Sequence, residues 1–252
     1  MTAEDLDTPG ARHWEPVRMR RLVGSALGAA VVGAGALLAW PPLWLLDGLA
    51  ASFPGCLYRV RTTEHVVALT LDDGPDPRTT PAILAELERH GARATFFLIG
   101  ERVRRREALV RRLIDGGHEI GNHFMRDRPT VLLDPAELAR DLEEWRTLLA
   151  PFGPVRWARP GSGWYSARVL AALARHDYRC ALGSVYPYDA TVPSSDFAVG
   201  HILRNVRPGA IIVLHDHGEQ GRRTTRTLRT VLPELRRRGY RVVTLGELSP
   251  ST

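Results

Sequence analysis

Between residues 65 and 248 the chain switches repeatedly between short runs rich in β-branched and aromatic residues and longer stretches with apolar residues at helical spacing. Residues 65–71 (HVVALTL) precede a helical stretch at 78–91, 94–100 (ATFFLIG) precede 101–117, and 118–123 (HEIGNH) precede 134–153. The alternation continues with 155–160 (VRWARP) before 166–177, and 178–186 (YRCALGSVY) before a helical stretch around 197–206. It ends with 210–216 (AIIVLHD) before 225–239 and a closing run at 240–248. Strands joined by helices of about 10–15 residues argue for a parallel sheet covered by helices. Seven strands in even spacing predict a closed or nearly closed, distorted (β/α)7 barrel. Asp134 before Pro135 reads as a helix N-cap and first helical residue, and Gly91 as a C-terminal stop.

Upstream, residues 22–46 carry no charge, whereas Arg18, Arg20 and Arg21 stand just before them. The run exceeds the roughly 20 apolar residues that a bilayer span needs. It reads as a transmembrane signal anchor, with residues 1–21 as a cytoplasmic tail, 47–60 as a linker and 61–250 as an extracytoplasmic catalytic domain. The alternative is a cleaved signal peptide and a secreted domain.

All 34 basic residues are Arg, against 28 acidic ones, so the net charge of +6 is permanent at physiological pH. That balance suits an acidic polymer or an anionic membrane surface. The Arg clusters at 102–112, 222–229 and 236–241 have helical spacing without interleaved aromatics, so they read as solvated helix faces and nucleic acid is not expected as a partner. Cys56 and Cys180 match no metal or redox spacing and read as two buried thiols, a disulfide being the alternative.

The strand ends carry the chemical signal. Asp72 and Asp73 end the first strand, His123 the third and Arg159 the fourth; Asp189 follows the fifth, and His215 and Asp216 end the sixth. In a βα barrel those ends converge on one rim. One Asp there would be a turn former or cap, and one His a satisfied core residue; five strands ending this way are hard to explain as five independent caps. The residue types permit metal-assisted hydrolysis: Asp and His hold a divalent ion, a second carboxylate takes a proton from water, and a histidine gives one to the leaving group.

The segments LTLDDGPDP, EIGNH, RPGSG, the stretch around YPYDA and PGAIIVLHD resemble, in order and spacing, the five motifs of the polysaccharide deacetylase family, the NodB-homology group. The resemblance spans residues 66–248. It implies a distorted βα barrel and metal-dependent removal of acetyl groups from a sugar polymer such as chitin, peptidoglycan or a related wall glycan. Carried over by position, Asp72 is the general base, Asp73 and His123 are metal ligands and Arg159 orients Asp72. His215 is the general acid, with Asp189 fixing its tautomer. Gly161 and Ser162 would form the oxyanion side, with a backbone N–H near Ser162 as donor.

The chain also departs from the pattern. Gly161 and Ser162 replace the usual Pro and Tyr, and Ala190 replaces a usual Trp, so Tyr186 or Tyr188 is expected to wall the acetyl pocket. Asp127 stands four residues after His123, which on a helical turn aims both side chains the same way. The expected metal set is Asp73, His123 and Asp127, with zinc as the default ion and cobalt or manganese as alternatives. The competing reading has Asp127 paired with Arg126 or Arg128 and a water as third ligand. Two functional alternatives remain: a glycan- or metal-binding barrel with impaired turnover, and an O-acetyl esterase on xylan-like polymers.

Overall fold

A computed structural model describes residues 42–249. The expected span at 22–46 lies outside the described residues except for its last few. Leu43 to Leu46 open a helix, α1 (Leu43–Ser52), whose Leu46 is buried against the domain. Among the described residues no helix is long and apolar enough to cross a membrane.

The strands are β1 (Cys56–Leu57), β2 (Val66–Gly74), β3 (Thr95–Leu98), β4 (Glu119–Asn122), β5 (Trp157–Ala158), β6 (Arg179–Ala181), β7 (Ile211–His215) and β8 (Arg241–Val243). The helices that follow α1 are α2 (Thr79–Arg89), α3 (Gly100–Val103), α4 (Glu107–Asp115), α5 (Pro135–Leu149), α6 (Ala167–Arg175), α7 (Ser195–Asn205), α8 (Gly218–Arg237) and α9 (Leu245–Leu248). The sheet order is β1-β6-β5-β4-β3-β2-β7, with β8 also on β2, and every laddered pair is parallel. The sheet curls into a half-barrel covered by helices. Among the described residues its ends meet through isolated bridges, Val185 to Ile212 and Arg59 to Ala210.

β2 pairs with β3, β7 and β8, and all of its residues except Asp73 are buried, as expected when both faces are covered. Val67, Leu69 and Leu71 pack into the main core, whereas Val66 and Ala68 join Phe97, Trp157, Ala181 and Ile211 in a second cluster on the other face. By the period-two rule Thr70 and Asp72 continue that second face. This phase turns the Asp72 carboxylate toward the inside of the curl.

Three features differ from the sequence expectation. The stretch read as a linker, 47–60, carries most of α1 and also β1, which pairs with β6 and makes the eighth strand. The stretch 101–117 is two helices, broken at Arg106 (φ −149°, ψ 40°), where four consecutive charged residues offer no apolar anchor to the core. α8 starts at Gly218, not 225, because Gly221 fits closely against Thr79 and the two glycines hide the helical pattern. The Asp134 cap is present as a capping box: its side chain accepts from Glu137 N–H at 2.8 Å and Glu137 reaches back.

Candidate active site

The ladder of β2 with β3 pairs Asp72 with Phe97 and Gly74 with Leu98, so Asp73 is an extra residue in a bulge with φ 70°. A bulge interrupts the strict alternation of a strand. Two successive carboxylates can therefore serve the same end of the strand. On the other side of β2, Asp72 lies opposite His215 at the end of β7, a spacing of about 4.8 Å between strands.

Each reactive group has its own counter-charge. Arg159, 2% exposed, donates from Nη1 to Asp72 Oδ1 at 2.6 Å and to Thr70 Oγ1 at 2.9 Å, and from Nε to the Ala181 carbonyl at 2.9 Å. Its Nη2 donates to the Leu182 carbonyl, and its plane lies 4.1 Å from the Phe97 ring centre. The guanidinium is thereby locked and Asp72 is held in one orientation. His215 donates from Nδ1 to Asp189 Oδ1 at 3.0 Å, while its backbone N–H donates to Asp189 Oδ2 at 2.9 Å. Asp189 is 1% exposed and also accepts from the Thr224 hydroxyl at 3.3 Å. With Nδ1 carrying that proton, Nε2 is the nitrogen left for chemistry. Burial opposes charging of His215, but Asp189, with Asp72 and Asp73 behind it, lifts its pKa to about 9.

His123 is oriented in the same way by the opposite partner. Its Nδ1 donates to the Arg159 carbonyl at 2.7 Å, which leaves Nε2 facing Asp73 Oδ1 at 3.4 Å. Burial opposes ionisation of Asp73, yet His123, His215 and Arg102 outweigh it and bring the carboxyl down to about 2.

Residues 59–181 match the family model described as polysaccharide deacetylase. A peptidoglycan-N-acetylglucosamine deacetylase of Bacillus cereus is 35% identical over 195 residues, which cover 76% of this chain and 91% of the relative. The chain belongs to the polysaccharide deacetylase family. Among solved structures, a peptidoglycan N-acetylglucosamine deacetylase in complex with an N-hydroxybenzamide superposes with a TM-score of 0.74 at 28% identity. That match covers 79% of this chain and 94% of that one. A family pseudoenzyme from Bacillus anthracis reaches 0.71 at 27% identity, covering 77% and 68%.

Within this deacetylase fold the structure brings Asp72, Asp73, His123, Arg159, Asp189 and His215 to one end of the sheet and leaves Asp127 apart. The segment 123–128 is irregular, with Phe124 at φ 64°, so the helical turn expected to align His123 with Asp127 does not form. The Asp127 side chain is 62% exposed and pairs with Arg102 Nη2 at 3.2 Å, not with Arg126 or Arg128. Among the described residues no group of three His, Cys, Asp or Glu side chains is placed to hold a metal. Asp73 and His123 alone suit a divalent ion: one carboxylate, and one imidazole whose Nε2 lone pair is aimed inward by the bond its other nitrogen makes.

The loop after β5 explains one departure from the family motif. A Cβ on Gly161 would stand 2.4 Å from the Arg128 carbonyl oxygen, so no larger residue fits there. The Gly161 N–H is spent on Thr130 Oγ1 at 2.9 Å, and those of Gly163 and Trp164 close the turn. Within the turn 161–164 the Ser162 N–H, at φ 60°, is the one without an acceptor among the described residues, as early N–H groups of a helical turn are. Tyr188 turns its ring edge to His201 at 5.6 Å. Tyr186 lies within electrostatic reach of Arg159 and Asp72, and burial pushes its hydroxyl pKa up. Ala190 is exposed.

Sequence reading missed Thr70, Thr224, Thr130 and Arg102. Thr70 was within reach, since it stands two before Asp72 on the same strand face. Arg102, read as part of a solvated helix face, donates to the Asp73 carbonyl and is 19% exposed. Asp216, wholly buried, accepts from the Thr79 and Thr80 hydroxyls and reads as a structural brace for the start of α2. Burial, against those two bonds, lifts its carboxyl to about 7.

Proposed function

We propose that the chain is a metal-dependent deacetylase of N-acetylated sugars in a chitin-like or peptidoglycan-type glycan. The observation that carries this is the cross-strand pair Asp72 and His215, each fixed by a buried partner of opposite charge, Arg159 and Asp189. A pure binding site would need neither a held base nor a held acid. An ion on Asp73 and His123 would supply Lewis acidity toward the acyl oxygen and acidify water. Asp72, held in one orientation by Arg159, takes a proton from the attacking water. The Ser162 N–H donates to the oxygen that gains charge. His215, protonated and steadied by Asp189, gives its proton to the departing amine.

The uncharged run at 22–46, after three Arg residues, supports a membrane-tethered enzyme with its deacetylase domain outside. The test is acetate release by the full-length chain in mild detergent, with zinc, from chitin oligomers, peptidoglycan and acetylated xylan, with Asp72→Asn as blank. Release from the first two that disappears in the blank and with chelator supports the reading. Release from xylan alone would replace it with an esterase. A binder with impaired turnover is the second reading, favoured by the displaced Asp127; metal binding without release from any substrate would establish it.

A further inference from the structure

Among the described residues the large apolar side chains left exposed are Trp44, Leu132 and Trp164. Trp44 lies on α1, but Leu132 and Trp164 lie on the loops after β4 and β5, at the same rim as His123 and Arg159. These two loops are fastened side by side. The Gly161 N–H donates to Thr130 Oγ1 at 2.9 Å, and Arg168 Nη2 donates to the carbonyls of Val131 at 3.0 Å and Leu133 at 2.8 Å. Leu132 thus sits between two anchored carbonyls, and Trp164 between the two anchoring residues.

The mount of Trp164 is firm on both sides. Arg159, five residues before it, is locked onto Asp72, and the Trp164 N–H donates to the Gly161 carbonyl at 3.3 Å. Ser162 and Gly163 both adopt left-handed backbone, φ 60° and 68°, which costs energy at Ser162 and persists only where its surroundings enforce it. Tyr165, directly after it, stacks edge-on against Phe53 at 5.1 Å and shares a hydrogen bond with Tyr58. A rigidly mounted indole that is 68% exposed beside a reactive site marks a binding surface more than a core residue out of place.

We propose that Trp164, with Leu132 on the loop fastened to its own, is a platform on which a pyranose ring of the glycan chain stacks, in a sugar unit next to the one that loses its acetyl group. The proposal rests on the deacetylase reading above. A pyranose ring offers a C–H face to the indole and hydroxyls around its edge. The rim supplies polar partners for those hydroxyls, since Arg126 and Asp127 are exposed on the neighbouring loop. An apolar peptide or lipid tail on the same platform would desolvate those charged groups, which pair with Glu101 and Arg102, without offering them a further hydrogen bond.

The experiment compares Trp164→Ala and Trp164→Phe with the parent full-length chain on N-acetylglucosamine monomer and on chitin tetramer, each with melting curves. The expected result is a rise in KM for the tetramer of about 3- to 10-fold in Trp164→Ala, the scale of one aromatic contact. The monomer is expected to be unaffected, kcat to stay within about twofold, and Trp164→Phe to recover most of the loss. A second arm titrates tetramer into the Asp72→Asn protein and follows Trp emission, expecting a change that Trp164→Phe abolishes. An active parent enzyme whose tetramer KM ignores Trp164→Ala overturns the platform. A parent that releases no acetate from any glycan overturns the deacetylase reading instead, and the emission arm still decides the platform by itself.

Discussion

Arg159 is the residue on which most of the site depends, because it joins Asp72, Thr70 and two carbonyls from one buried position. Arg159→Leu leaves Asp72 buried without its counter-charge, so about 3–5 kcal/mol of stability should be lost along with activity; chemical denaturation reads the first and acetate release the second. The role of Asp189 has a signature in pH. As the proposed general acid His215 would act in its protonated form, so activity is expected to fall as pH rises through its raised pKa of about 9. Asp189→Asn removes the interaction that raises it, and the alkaline limb of kcat/KM should move to lower pH, toward the ordinary histidine value of 6.5; a limb that stays in place would count against His215 as the acid. The linkage has the same sign: the pair contributes stability that is full below the unfolded pKa and lost as pH rises through about 9. For the metal, His123→Ala should abolish zinc binding in calorimetry. Asp127→Ala should retain one ion per chain with affinity within about tenfold, since Asp127 is held by Arg102 and not by the Asp73–His123 pair.

At the level of elements, the segment 43–58 is a working part of the domain. Leu46, Cys56 and Tyr58 are buried, β1 pairs with β6, and Tyr58 reaches Tyr165 beside the loop that bears Ser162. A chain that starts at residue 60 should therefore melt well below the full-length chain, because each buried apolar side chain removed costs about 1.5–3 kcal/mol. An unchanged melting temperature would show that the segment only rests on the surface. The strands from β2 onward were readable from their composition, and Asp134 from its capping signature. β1 was not, because a two-residue strand after Phe53, Pro54 and Gly55 has too little sequence to show a period. The break between α3 and α4 was hidden by the Arg run, which suits a helix by propensity and lacks only a core to pack on.

The molecule as a whole carries +6 without a single Lys, and its rim bears Arg102, Arg126 and Arg128. On an anionic wall polymer, KM should climb as salt is raised from about 10 to 150 mM, where the screening length shrinks to about 8 Å. On neutral chitin oligomers it should stay nearly flat. Equal slopes on both would remove charge from the account of substrate choice.

The sequence by itself determined the class of fold, since alternating strand and helix segments leave a parallel sheet with one functional rim. It also determined the inventory of that rim, because Asp72, Asp73, His123, Arg159, Asp189 and His215 stand at strand ends or just beyond them. Only the tertiary structure decided which of these face one another. The bulge at Asp73, the phase that turns Thr70 and Asp72 inward, and the pairing of Asp127 with Arg102 depend on register and on backbone torsions. Those are set by packing between segments far apart in the chain. A spacing of four residues was therefore read as a helical turn where the folded chain has none, and an arginine assigned to solvent proved to hold the Asp73 carbonyl.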